Sequence, residues 1–519
     1  MNPAPEPLPT LDYQPRVAPS RPAIVRFVVW TILIAILLGG GTAWIAMLFR
    51  SGYSRSGLTL FAGWTLLGVA VVALAGLLAT TPRDAIKLSR TASVVIILAG
   101  TALLHAAAMF MISPELSQDA FRYRFDARLA AAGLSPYQPY DTDVLAGLST
   151  PSEAAIDRLT QHLGTATIYP PAAQWVFRAA HIAGPTLRPA VSTWYPIDTL
   201  VSWSDGIPRR HAVTFSPAMR LLASVASIIT AGLLLAGLST LGKSPWYAVL
   251  FAWNPLTLIE VSGHSHIDIF GAMCLAAAAF CTLRGQWRLA MFALALATGI
   301  KPHTIVLAPL IAIAAWRAAK AWSPLPFFAI ALLLIYAPLL SLPNFVRWSE
   351  TVQLYAASWE ANGSIYYLLT VPFRNGDGQM LETAKLTARL IGALGFFATL
   401  YAVIRARMPL ADAAYWVTLI PLLLAPVVYP WYLLWGLAIV PFLQRTGGWT
   451  LLVWCATAGL SYQLLREPVW TLPPAWLAME YVPVYLALVL EIAIAISTSR
   501  PAGGCGALAG LPVMGQSSY

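Results

Sequence analysis

The feature that most constrains this chain is a succession of predominantly apolar runs, at 27–49, 58–79, 91–112, 219–241, 246–261, 267–283, 289–300, 304–316, 325–342, 386–404, 413–428, 431–443, 449–465 and 476–496. About 20 apolar residues in a helix cross the ~30 Å hydrocarbon core of a bilayer, and in lipid every backbone polar group has to be paired within the segment. The chain therefore reads as an all-α polytopic membrane protein of about 12–14 transmembrane helices. Only 10% of its residues are charged against 58% hydrophobic, which excludes a water-soluble enzyme. A β-barrel would need alternating strands of about ten residues, and that pattern is absent. The run 27–49 is too long for a cleavable signal and reads as a retained anchor. Cys274, Cys281, Cys455 and Cys505 form no legible disulfide framework.

Cation counting sets the expected orientation. With the N-terminus in the cytoplasm, Arg83, Lys87, Arg90, Lys243, Arg284, Arg288, Arg317, Lys320, Arg405, Arg407 and Arg445 fall inside, and fewer basic residues, among them Lys301, Arg347 and Lys385, fall outside. The expected organisation is a disordered cytoplasmic N-terminus over 1–26, three transmembrane helices over 27–112, and an extracytoplasmic catalytic loop over 113–218 carrying interfacial helices. Central helices over 219–342, a second extracytoplasmic loop over 343–385, C-terminal helices over 386–498 and a flexible tail over 499–519 complete it. Two places leave the topology open: 289–316 and 413–443 are each either a hairpin or one kinked span. The net charge of +10 is accounted for by this topology and implies no nucleic-acid partner.

The polar island 113–218 opens with Asp119-Ala120-Phe121-Arg122-Tyr123-Arg124-Phe125-Asp126. Helical spacing puts Asp119, Arg122, Tyr123 and Asp126 on one face. Two readings stay open there: an interfacial helix laced by Asp–Arg pairs, or a base carboxylate held at the membrane boundary. Tyr169-Pro170-Pro171 is a rigid lead-in to a helix whose rings can stack on a sugar or an isoprenoid. Asp141-Thr142-Asp143 has the form of a metal-binding DxD, a cheap pattern in an acid-rich loop. Further on, Glu260, His264, His266 and Asp268 crowd one membrane edge, where ionisable groups are costly unless paired or wetted, so a polar site is the default expectation. Lys301-Pro302 interrupts an apolar stretch and offers a cation at membrane depth, suited to a lipid-linked phosphate. Asn362-Gly363-Ser364 lies in the second loop, and Tyr429-Pro430-Trp431-Tyr432 sits at a helix break.

Taken in this order, these motifs resemble the GT-C superfamily of integral-membrane glycosyltransferases, and within it bacterial enzymes similar to polyprenyl-phosphate-mannose-dependent mannosyltransferases. The motifs are Asp119 with Arg122, Tyr123 and Asp126, Gly133 to Tyr137, Tyr169-Pro170-Pro171, Trp253-Asn254-Pro255, His266 with Asp268, Lys301-Pro302, Asn362-Gly363-Ser364 and Tyr429 to Tyr432. The resemblance covers about 113–443. It implies a GT-C-like bundle in a cytoplasmic membrane, with a base carboxylate, at Asp119, in the first large extracytoplasmic loop. Where relatives usually read Gly-His-Asn-Asp, this chain has His264-Ser265-His266-Ile267-Asp268, with Ile267 replacing a polar residue.

The expected reaction is transfer of a hexosyl unit, mannosyl by the resemblance, from a polyprenyl-phosphate donor to a hydroxyl of a lipid, glycan or protein acceptor outside the membrane. Asp119 is the expected base. Lys301 and His266, assisted by Arg122, would steady the departing phosphate. Arg122, Tyr123, Asp126, Tyr169, His264, His266, Asp268, Lys301, Asn362, Tyr429 and Trp431 are the expected substrate-binding residues. No metal and no cofactor is expected. Direct displacement predicts inversion; a covalent route would need a second carboxylate, for which Asp126 is the nearby candidate. The alternatives are a transporter or flippase of lipid-linked sugars, against which stands the lack of symmetrically placed broken helices, and a ligase moving a whole glycan or head group.

Overall fold

The computed structural model describes residues 53–80, 88–112, 117, 119–140, 160, 164–194, 215–320, 322–373, 381–466 and 472–499. The N-terminal stretch 1–52 with its expected anchor, the Asp141-Thr142-Asp143 motif and the tail from residue 500 lie outside these. The described chain is all-α and polytopic. Its main helices are α1 (Tyr53–Thr80), α2 (Arg90–Met111), α3 (Asp119–Ala131), α4 (Pro171–Trp194), α5 (Phe215–Thr240), α6 (Asp268–Leu283), α7 (Trp287–Ile300), α8 (Ala308–Ala319), α9 (Pro324–Ile335), α10 (Leu342–Ser358), α11 (Glu382–Arg405), α12 (Leu410–Leu424), α13 (Trp449–Thr457) and α14 (Pro474–Ser499). Among the described residues, six segments are long and apolar enough to cross a membrane: Ala62–Thr80, Arg90–Phe110, Pro217–Thr240, Pro302–Ala319, Glu382–Arg405 and Pro474–Ile496. Shorter apolar helices pack among them.

Burial follows the membrane setting. α11 turns Leu386, Leu390, Leu394, Phe397 and Tyr401 outward, and α14 does the same with Met479, Val482, Leu486 and Val489; in a bilayer these faces meet acyl chains. Inside, small residues let helices close up. A Cβ on Gly68 of α1 would fall 2.4 Å from the Cα of Ala456 in α13, and one on Gly271 of α6 would fall 1.8 Å from the Trp435 ring.

Long-range bonds settle both topological ambiguities as hairpins. Arg288, near the start of α7, donates to Ser323, just beyond α8, at 3.5 Å, so the limbs on either side of Lys301 begin and end at the same end of the bundle. Asp412 at the start of α12 accepts from the backbone amides of Gln444, Arg445 and Thr446 at 3.0, 2.8 and 3.2 Å, so 413–443 also turns back on itself, with Tyr429–Trp431 at its tip. Lys243, bonded to the carbonyls of Pro441 and Leu443, joins the same end.

Several expected spans are not continuous helices: 325–342, 431–443 and 449–465 each include 3₁₀ turns, and 246–261 is broken further. The stretch 246–261 breaks into a 3₁₀ turn (Pro245–Ala248), short α-helical pieces (Val249–Ala252 and Pro255–Thr257) and a π-helical turn (Leu258–Gly263). Pro255 cannot donate in a ladder, and the Asn254 side chain caps the amide of Leu256 instead, at 3.1 Å. The Trp253-Asn254-Pro255 motif is thus a helix break that reorients the chain ahead of His264.

Candidate functional site

Five pieces of chain converge at the bundle end opposite Lys243: α3, the Tyr169 turn, the Glu260–Asp268 edge, the Lys301 tip and the Tyr429–Trp435 break. Helix α3 is not the wet interfacial helix that its charge pattern allows. Tyr123, Arg124, Phe125, Asp126, Ala127 and Leu129 are buried, because the helix is clamped between α4 and the His264–Ile267 turn. Tyr123 stacks on Phe177 of α4 with centroids 4.4 Å apart and meets Tyr169 edge-on at 5.1 Å, and its hydroxyl accepts from the Ile267 amide at 3.4 Å.

Asp119 sits at the mouth of this packing. Its Oδ2 accepts from the Tyr169 hydroxyl at 3.3 Å and the Tyr123 hydroxyl at 3.4 Å, and lies 3.6 Å from His266 Nδ1. The Asp119 side chain is 34% exposed while His266 and Glu260 are fully buried, so Asp119 is the carboxylate of this triplet that a substrate can reach. Behind it, His266 Nε2 lies 3.3 Å from Glu260 Oε2, and the other oxygen of Glu260 accepts from the Tyr462 hydroxyl at 2.7 Å. Burial opposes charge on His266, but the Asp119 and Glu260 carboxylates on either side outweigh it and lift the imidazole to about 9. Burial likewise opposes ionisation of Asp119, yet His266, with help from Lys301 and Tyr169, holds its carboxyl below the usual value. The array is a carboxylate–imidazolium–carboxylate line with one open end.

The far wall is aromatic. His266 lies flat on Trp431, centroids 3.7 Å apart at 15°, and Tyr429 stacks on the other side of that indole at 4.6 Å and 6°; a charged imidazolium on an indole face gains cation–π attraction. Lys301 grips both oxygens of Asp268, at 2.7 and 2.9 Å, and sits 4.5 Å above the Tyr432 ring. Trp435 donates to the same carboxylate at 2.7 Å, and Tyr355 of α10 meets the Tyr432 hydroxyl at 2.5 Å. Lys301 is therefore not the lone cation expected from the sequence: Asp268, the first residue of α6, already neutralises it. An ammonium has three N–H donors, and two of them go to Asp268.

Four expected residues face elsewhere. Arg122 and Asp126 form their own pair at 2.8 Å, completed by Thr167 at 2.5 Å and Gln174 at 2.9 Å on the carboxylate and by the Thr165 carbonyl at 3.1 Å from Arg122. The i,i+4 pairs Asp119/Tyr123 and Arg122/Asp126 run along adjacent ridges of α3, and only the first reaches the cluster. Asn362, with φ +55°, donates to Glu480 at 3.0 Å, while Ala361 bonds backbone to backbone with Pro426 and Val428 at 3.0 and 2.8 Å. That loop anchors the chain just ahead of Tyr429. His264 is buried with Nδ1 on the Ile259 carbonyl at 2.9 Å, a contact that fixes the turn. Conversely, Tyr432, Trp435, Tyr355, Tyr462 and Glu260 belong to the cluster. Of these, Glu260 carried a signal in the sequence as an acid at membrane depth, and Tyr432 as part of the Tyr429–Tyr432 motif; Tyr355 and Tyr462 carried none.

Residues 223–366 match the family model described as GPI transamidase subunit PIG-U, a membrane-protein family distantly related to GT-C-type glycosyltransferases. The matched stretch is well under half of the chain. It takes in Glu260, His264, His266, Asp268, Lys301 and Asn362 and leaves out Asp119, Tyr169, Tyr429 and Trp431. No curated protein matches the chain.

Proposed function

We propose that this chain is a membrane glycosyltransferase that moves a hexosyl unit, mannosyl by the motif resemblance, from a polyprenyl-phosphate donor to an acceptor hydroxyl. The observation that carries this reading is the partly exposed Asp119 carboxylate held against His266 beside an aromatic wall. Asp119 accepts the hydroxyl proton as the acceptor oxygen attacks the anomeric carbon, and the bond from that carbon to the phosphate oxygen breaks with its electron pair going to the phosphate. His266 keeps Asp119 ionised before attack. The third N–H of Lys301, held by Asp268, supplies a preorganised donor for the developing phosphate charge. Tyr429 and Tyr432, both partly exposed, offer flat apolar faces to a sugar ring or to the first isoprene unit, and Trp431, stacked between His266 and Tyr429, backs them. A single reachable carboxylate and a direct displacement give inversion; Asp126, turned into its own network, is not placed to form a covalent intermediate. The site end of the bundle is the extracytoplasmic face in this reading, because Arg284, Arg317, Lys320, Arg405 and Arg407 gather at the other end.

Purified protein given radiolabelled polyprenyl-phosphate hexose and a membrane lipid extract should release free polyprenyl phosphate, and Asp119→Asn should abolish release while eluting as a monodisperse species in detergent. Release that survives in this variant removes Asp119 from the mechanism.

The family match favours a second reading. A protein similar to a transamidase subunit over the stretch that holds His266 and Lys301, but not Asp119, fits a chain that binds a lipid-linked glycan for another component to process. Binding of the labelled donor with no release from the wild type, and equal binding by Asp119→Asn, would decide for it.

A further inference from the structure

At the bundle end away from Asp119, a cavity of about 630 Å³ opens between α8, α11 and α12. Arg317, Lys320 and Arg407 line it together with Leu310, Ile313 and Val403, and no carboxylate is among its lining residues. Asp412, between the lining residues Leu410 and Ala413, spends its carboxylate on the amides of 444–446. Complementing helix C-termini accounts for Arg317 and Arg405, which occupy last turns. Lys320 and Arg407 follow just behind the helix ends in left-handed backbone, φ +52° and +48°, and line the same cavity. Arg317 spends one of its five donors on the Ile404 carbonyl, at 3.2 Å.

We propose that this cavity holds the head group of an anionic diacyl phospholipid, its phosphate among the three cations and an acyl chain along the apolar wall. Depth supports a lipid over a soluble anion. Trp316 and Trp322 stack on each other beside the cavity, centroids 5.0 Å apart, both exposed, and Lys320 lies 5.6 Å over the Trp316 ring. Paired exposed indoles mark the level of lipid head groups, and basic pockets between transmembrane helices suit anionic head groups. The site is independent of the glycosyl-transfer reading, since Lys301 and Lys320 bracket the ends of one span, Pro302–Ala319.

The test is native mass spectrometry of the full chain, titrated with phosphatidylglycerol or with phosphatidylcholine of the same acyl chains. The wild type should retain phosphatidylglycerol in preference. The combined variant Arg317→Gln, Lys320→Gln, Arg407→Gln should lose that preference, with affinity for phosphatidylglycerol reduced by about tenfold or more and phosphatidylcholine unaffected. Inorganic phosphate should not displace the lipid. A wild type that retains both lipids equally overturns the proposal without any variant; so does a folded variant that keeps the preference, or displacement by inorganic phosphate alone.

Discussion

At the level of single residues, the least expected participant is Glu260. In the sequence it is one acid in a crowded edge; in the fold a π-helical turn swings it behind His266, so that two carboxylates flank one imidazole. π-turns are rare and tend to mark functional sites, and nothing in hydrophobic periodicity announces one. If Glu260 sustains the charge on His266, Glu260→Gln should lower the pH at which transfer fails on the alkaline side, read as a shifted alkaline limb in the pH–rate profile. The same array makes stability pH-dependent. His266 is raised from 6.5 to about 9, so its contribution is whole below 6.5 and drains away as pH rises to about 9. Asp119 is lowered from 3.8, so its contribution is present above that value and goes as pH falls below it. Thermal unfolding in detergent should therefore show a plateau at mildly acid pH with a fall toward pH 9, and His266→Gln should flatten that alkaline fall.

Among elements, the site rests on α6 lying against the Tyr429–Trp435 break. Gly271 permits that approach, and its neighbour Trp435 is the residue that orients Asp268, which in turn holds Lys301. Gly271→Ala forces the indole aside; overpacking of this kind costs about 1–3 kcal/mol and should appear as a lowered melting temperature together with weaker donor binding. Gly68→Ala, which meets backbone of α13 and not a movable ring, should lower the melting temperature while leaving donor affinity intact, because α1 carries none of the site. The spacing argument for α3 was half right for a reason visible here. Four residues at i, i+3, i+4 and i+7 span an arc wide enough to be shared between two neighbours, so Asp119 and Tyr123 turn to the site while Arg122 and Asp126 turn to Thr167 and Gln174.

For the molecule as a whole, hairpins at Lys301 and at Tyr429–Trp431 bring both tips to the Asp119 end and send the cationic turns to the other. Cysteine substituted at Lys320 or Arg407 should be labelled by an impermeant reagent from one side of the membrane, and cysteine at Gly133 from the other. Labelling of all three from the same side would dismantle the topology.

The sequence by itself determined the solvent. Apolar runs of membrane length can satisfy their backbone only as helices, so the all-α class and the approximate places of the spans follow from the chemistry of the peptide group in lipid. It also flagged Asp119, His266, Asp268 and Lys301, since ionisable groups near hydrocarbon are expensive and stand out. Tertiary structure alone decided who pairs with whom: that Asp268 neutralises Lys301, that Glu260 backs His266, and that Asn362 pairs with Glu480 while its neighbour Ala361 bonds the backbone ahead of Tyr429. Those partners come from segments far apart in the chain, and a local pattern records that a charge is present at membrane depth without recording which distant group compensates it.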